Sequence, residues 1–197
     1  MSQPIQIKNS NVIRVFFAIW PEVSVRRLLH ALAEEYQPKC GARIMHIDTL
    51  HMTLQFIGNI ERAQLPQLIK AADKVQAPPF GIVLERLSFW EHNRIAYATL
   101  NTKVPALDRL ITALRQELTA EEISFDNSEF NPHVTLLRSV EHIMESQDIA
   151  PIRWWADAFV LVESVTTSQG THYRILQKWP LSPTAISFDS LKNDGLR

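Results

Sequence analysis

The stretch His-x-Thr-Leu occurs twice in this chain, as His51-Met52-Thr53-Leu54 and as His133-Val134-Thr135-Leu136. On a β-strand, residues i and i+2 share a face. Each stretch therefore presents an imidazole and a hydroxyl together, with Met52 and Leu54, or Val134 and Leu136, on the opposite face. If the two strands meet about a pseudo-twofold axis, one cleft receives two imidazoles and two hydroxyls. Two imidazoles flanking one phosphorus suit in-line displacement. A neutral imidazole takes a proton from the attacking oxygen, and a protonated one gives a proton to the leaving oxygen. An unperturbed pKa of about 6.5 makes both forms available near neutrality. Each role is typically worth ~10²–10⁴-fold in rate. The hydroxyls of Thr53 and Thr135 can donate hydrogen bonds to non-bridging phosphate oxygens. Arg138 follows the second stretch but is out of phase with His133 on a regular strand. A bend after Leu137 would aim its guanidinium at phosphate.

The same residues admit other readings. A strand with Thr beside a half-buried His is common, and a chain with seven histidines can repeat such a triplet by chance. Two histidines plus a carboxylate could hold a metal, but Asp48 has the wrong strand parity to join His51, and hydroxyls are poor zinc ligands. His30, His46, His92, His142 and His172 read as solvated or structural, with His142 opening a helix. Arg14 and Arg94 open strands and read equally well as ion-pair partners. Trp154 and Trp155 read as core cover.

The elements that position the two stretches recur in order. Val12–Trp20, "VIRVFFAIW", is a short apolar run that reads as a buried strand. A helix follows in "EVSVRRLLHALAEEY", with Val25, Leu28, Leu29, Leu32 and Tyr36 on one face and Pro38 and Gly41 closing it. "ARIMHID" and "LHMTLQFIG" read as strands, the second stopped by Gly58. An amphipathic helix over 61–75 uses Leu65, Leu68, Ile69 and Ala72, and "FGIVLERLSFW" is a further strand. The rhythm then restarts. "RIAYATL" from Arg94 resembles "RVFFAIW" from Arg14, and a helix follows with Leu107, Leu110, Ile111, Leu114 and Leu118 on one face. The strand "FNPHVTLLRSV" then carries the second stretch. Arg14 lies 37 residues before His51 and Arg94 lies 39 before His133, the mark of an internal duplication. "WWADAFVLVESVTTSQGTHYRILQKWPL" reads as two strands around the turn at 168–171. Residues 1–11 and 182–197 read as flexible tails, and no linker divides 12–181.

The 197 residues are 46% hydrophobic and 21% charged, with a net charge of −1. Such balance gives no global attraction to nucleic acid, so any such contact must be local. A patch from Arg138, Arg174 and Lys178 would provide one. The single cysteine, Cys40, excludes an internal disulfide and a cysteine-based zinc cluster. No apolar run approaches the ~20 residues of a membrane span, and "MSQPIQIKNSN" lacks the hydrophobic centre of a signal peptide. These features lead us to expect a soluble cytoplasmic protein.

Taken together, "RVFFAIWPEVSVRRLL", "LHMTLQFIGNI", "FNPHVTLLRSV" and "FVLVESVTTSQGTHYRILQKWPL" resemble the 2H phosphoesterases. The closer resemblance is to the RNA 2′,3′-cyclic phosphodiesterases, also called 2′-5′ RNA ligase-like proteins, and it runs from Arg14 to Leu181. It implies a bilobal α+β fold of two pseudo-symmetric antiparallel sheets with outer helices and a cleft between the sheets. It implies His51 as general acid toward the leaving 3′-oxygen, His133 as general base for water, and Thr53, Thr135 and Arg138 on the phosphate. Phe56 would pack on the nucleobase. The implied substrates are RNA or oligonucleotide ends and nucleoside 2′,3′-cyclic phosphates. A 2′-phosphate end would be formed without metal, ATP or an obligatory protein partner, by a monomer. The chain departs from the family at Trp20, often Asp, and at His172-Tyr173-Arg174 in the closing hairpin. Ligation or cleavage of 2′-5′ linkages, and RNA binding without turnover, are the alternatives.

Overall fold

A computed structural model describes residues 11–167 and 170–182. Among the described residues, nine strands and three α-helices follow one another in chain order. They are β1 (Val12–Ile19), α1 (Val23–Cys40), β2 (Arg43–Ile44), β3 (Met52–Glu61), α2 (Leu65–Asp73), β4 (Phe80–Trp90), β5 (Ile95–Thr99), α3 (Pro105–Ala120), β6 (His133–Arg138), β7 (Gln147–Ala156), β8 (Ala158–Thr167) and β9 (Gly170–Pro180). The architecture is α+β, with antiparallel pairing throughout. Four strands run β3-β1-β8-β9 in one half and four run β6-β5-β4-β7 in the other, and β2 flanks β6. The expected pair of sheets is joined edge to edge by one residue pair, Met52 opposite Val134.

The repeat inferred from sequence rhythm is visible in the pairing. β1 lies beside motif strand β3 as β5 lies beside motif strand β6. The helices are exchanged between the halves. α1, which follows β1, packs on β2, β6 and β7, whereas α3, which follows β5, packs on β3 and α2. One cluster of buried side chains consequently runs beneath both halves, including Phe17, Leu29, Leu84, Leu114 and Leu136. Burying each of these removes roughly 1.5–3 kcal/mol of apolar exposure. That shared core holds the junction between β3 and β6.

The helices follow their apolar periodicity with two adjustments. α3 buries all five expected residues behind a proline at its first turn. α1 buries Val25, Leu29, Ala33, Tyr36 and Cys40, while Leu28 is 54% exposed. Pro38 lies inside α1, which ends at Gly41 in a left-handed conformation with φ 62°.

Three further expectations are corrected. "ARIMHID" supplies only two strand residues before a 3₁₀ turn at Ile47–Thr49. β3 runs through Gly58, whose φ of 93° forms a bulge instead of a stop. No helix begins at His142: the amides of Glu141 and His142 both donate to the Cys40 carbonyl, and the chain then enters β7. β7 was hidden by its polar start and Pro151. It is an edge strand, where a missing amide donor is tolerated. Trp154 is buried, but Trp155 on the same strand is 64% exposed. Residues 168–169 of the expected turn at 168–171 lie outside the described residues, as do 1–10 and 183–197 of the expected tails at 1–11 and 182–197.

Candidate active site

Antiparallel pairing of Met52 with Val134 sets the geometry of the centre. Residues on either side of this pair point to the opposite face, so His51 faces Thr135 and Thr53 faces His133 across the junction. Met52 and Val134 themselves are fully buried beneath. The resulting cleft of about 580 Å³ is lined by His51, Thr53, Phe56, His133, Thr135 and Arg138. All six residues singled out in the sequence therefore reach one cavity.

A bulge in each motif explains how Phe56 and Arg138 get there. On β3, Gln55 pairs with Phe17 and Thr53 with Ala18, leaving Leu54 without a partner. On β6, Leu137 pairs with Ala96 and Thr135 with Tyr97, leaving Leu136 without one. The fourth residue of each His-x-Thr-Leu stretch is thus the extra residue of a β-bulge, and both leucines are buried. One inserted residue inverts the alternation, so the side chain at an odd offset from the histidine returns to the cleft face. The bend after Leu137 expected from sequence is this bulge, one residue earlier. It places Arg138 in the second half and Phe56 in the first at corresponding positions.

The histidines share one anchoring device. His51 Nδ1 lies 2.6 Å from the Thr49 carbonyl, and His133 Nδ1 lies 2.7 Å from the Asn131 carbonyl. A carbonyl only accepts, so Nδ1–H donates in both and Nε2 is the nitrogen left for chemistry. A buried Gln55 supports the loop that carries Asn131. Its amide donates to the Asp126 carbonyl at 2.6 Å and accepts from Arg115 Nε at 2.6 Å.

The aromatic surroundings are not symmetric. His51 stacks against Phe16 at 4.9 Å and Trp20 at 5.0 Å, and meets the edge of Tyr173 at 5.1 Å. His133 meets Trp90 at 4.6 Å and Tyr97 at 5.5 Å, both edgewise. Burial lowers the pKa of both imidazoles, against the raising effect of the carbonyl bonds, and Arg138 lowers both further. His51 is pushed down to about 4, with His133 contributing.

A lowered histidine pKa has a consequence for stability. As pH falls below 6.5, the unfolded chain takes up the His51 proton before the folded chain does. Stability from this source is complete above about pH 6.5 and is lost as pH falls through about 4. The urea midpoint of the protein should fall across that window, and His51→Gln should flatten the slope. Equal slopes in the two proteins would contradict the burial of His51.

Several cleft residues carried no clear signal in the sequence. Arg14 lines the cleft with its guanidinium carbon 4.7 Å from the Phe56 ring centroid. Its repeat counterpart Arg94 is structural, donating from Nε to the Val140 carbonyl at 2.6 Å. Arg43 and His46 also line the cleft. The alternation Arg14, Phe16, Ala18, Trp20 would have placed the β1 members on one face. Arg174 does not line the cleft: with Arg62 it pairs with the buried Glu163 on the other side of β8. Lys178 does not line it either, so the expected patch is replaced by Arg14, Arg43 and Arg138. Asp48 pairs with Arg26 at 2.5 Å. Among the described residues, no aspartate, glutamate or cysteine lines the cleft, and no group of three metal-ligating side chains occurs.

Comparison with known proteins agrees with this geometry. A sequence model of the LigT-like phosphoesterases matches residues 19–97. An RNA 2′,3′-cyclic phosphodiesterase of Escherichia coli K12 is 29% identical over 174 residues, covering 86% of this chain and 97% of the relative. Apo E. coli LigT superposes with a TM-score of 0.77 at 26% identity, covering 88% of this chain and 100% of LigT. The chain thus resembles the LigT-like phosphoesterases in sequence and in fold. Another relative, an RNA 2′,3′-cyclic phosphodiesterase of Thermus thermophilus, is 25% identical over 181 residues, 86% of this chain and 90% of the relative. E. coli LigT complexed with 3′-AMP superposes with a TM-score of 0.78 at 25% identity, over 87% of this chain and 99% of LigT. No helix among the described residues is long and apolar enough to cross a membrane.

Proposed function

We propose that this chain is a metal-independent RNA 2′,3′-cyclic phosphodiesterase whose catalytic unit is residues 12–181, acting as a cytoplasmic monomer. The observation that carries the reading is the pair of His/Thr couples facing each other in one cleft across Met52 and Val134. The relatives' names supply the substrate class. A terminal 2′,3′-cyclic phosphate sits between the imidazoles, its non-bridging oxygens on Thr53, Thr135 and Arg138. His133 Nε2 takes a proton from water as water attacks phosphorus. The bond from phosphorus to the 3′-oxygen breaks opposite, and His51 Nε2 protonates that oxygen. A 2′-phosphate and a free 3′-hydroxyl result.

The free protein holds His51 neutral at pH 7 because burial, His133 and Arg138 all oppose its charge. A phosphodiester anion bound beside it offsets Arg138 and favours the imidazolium. Proton uptake by His51 is therefore coupled to substrate binding. Phe56, projecting into the cleft beside this site, packs on the terminal base without selecting its identity. The donor set favours proton transfer over metal chemistry, since the described residues bring imidazoles and hydroxyls there without a carboxylate.

The test is to offer, in parallel, an oligoribonucleotide ending in a 2′,3′-cyclic phosphate and one containing a 2′-5′ linkage. Opening of the first to a 2′-phosphate, at a far higher rate than cleavage of the second, is the expected result. Faster turnover of the 2′-5′ linkage would replace this reading with the 2′-5′ one.

A further inference from the structure

The cleft carries more positive charge than one phosphodiester requires. Arg14, Arg43 and Arg138 all line it, and among the described residues none of the three is in an ion pair and no carboxylate lines the cleft. Arg43 and Arg138 are direct partners on the β2–β6 ladder. Like charges so placed destabilise a sheet, and an anion between them removes the penalty. That end of the cleft is accounted for by the reacting phosphate.

Arg14 stands at the other end. Its ring contact with Phe56 holds the guanidinium in the cleft. Ser164, its partner on β8, and Thr166 bring hydroxyls to the same end. The carboxylate on the neighbouring residue, Glu163, is turned away and engaged by Arg62 and Arg174. Arg14 lies four residues along β1 from Ala18, which pairs with Thr53. At ~3.3 Å per residue, this is roughly 13 Å from the reacting centre. The long arginine side chain spans part of this interval, leaving the separation of neighbouring phosphates in one nucleotide chain. Phe56 lies between the two positions.

We propose that the Arg14 end of the cleft is a second phosphate site. It takes the phosphate on the 5′-oxygen of the nucleoside whose 2′,3′-cyclic phosphate is opened. The proposal rests on the phosphodiesterase reading above and narrows it. The preferred substrates are oligonucleotide ends and 5′-phosphorylated nucleoside 2′,3′-cyclic phosphates, and bare nucleoside cyclic phosphates are poor ones.

The experiment compares adenosine 2′,3′-cyclic phosphate with and without a 5′-phosphate, in the wild-type chain and in Arg14→Gln. A charge-assisted contact is worth about tenfold or more. The wild-type kcat/KM should be at least about tenfold higher with the 5′-phosphate, mainly through KM, and the ratio in Arg14→Gln should fall to near one. A wild-type ratio near one, or a ratio retained in Arg14→Gln, would overturn the proposal. Calorimetric binding of adenosine 2′,5′-bisphosphate against adenosine 2′-monophosphate separates it from the parent reading. Tighter binding of the bisphosphate that Arg14→Gln abolishes, without turnover of either cyclic compound, would keep the second site and reject the phosphodiesterase. Equal binding of the two would reject the second site.

Discussion

Replacing His51 or His133 by alanine is expected to lower the rate of cyclic-phosphate opening by roughly 10²–10⁴-fold each, with little change in KM. Each imidazole lines the cleft and leaves Nε2 unengaged by the backbone. In the proposed in-line displacement each moves one proton, one at the attacking oxygen and the other at the leaving oxygen. Loss of one stalls the concerted step, so the double variant should fall well short of the product of the two single effects. The pH profile distinguishes the roles. The base must be neutral, and burial and Arg138 lower the pKa of His133. The acid limb of kcat/KM should therefore lie below about pH 6.5. It should vanish in His133→Ala and persist in His51→Ala. A limb that persists in His133→Ala and vanishes in His51→Ala would exchange the two roles.

Arg138→Gln is the second large effect, expected at roughly 10²–10³-fold in kcat/KM, or about 2.7–4 kcal/mol of transition-state stabilisation. The bulge at Leu136 returns this guanidinium to the cleft, where the proposed reaction builds negative charge on the phosphoryl oxygens. Arg138 also lowers both imidazole pKa values through its charge. Its removal should therefore move the acid limb upward in pH as well as lower the plateau. Arg138→Lys retains the charge but not the planar fork. It should hold the limb in place while recovering only part of the rate. An unchanged limb in Arg138→Gln would mean that the guanidinium points away from the histidines in solution.

The parts of this site that the sequence revealed are those governed by simple periods. Alternation put His51 with Thr53 and His133 with Thr135, and the apolar stripe of α3 was followed residue for residue. The repeat of strand, helix and motif foretold the pseudo-dyad that now passes between Met52 and Val134. Single-residue departures from those periods were what remained hidden. An inserted Leu54 or Leu136 changes every later side chain's face, yet in sequence it is only one more leucine. Gly58 looked like a strand terminator because glycine serves both stops and bulges. Arg43 reaches the cleft through β2, whose Arg43 and Ile44 pair with Arg138 and Leu137 of β6 across a long sequence separation. Local pattern carries no record of those partners. Trp20, where the chain departs from the family it resembles, stacks directly on His51, so this departure falls at the centre of the site.

The most direct test of the central claim is single-turnover hydrolysis of an oligoribonucleotide 2′,3′-cyclic phosphate in EDTA and ¹⁸O-enriched water. The account predicts a 2′-phosphate end carrying one solvent oxygen, formed by the wild-type chain and not by the His51→Ala/His133→Ala protein on the same timescale. Product formed only after a divalent metal is restored, or formed equally well by the double variant, would contradict it.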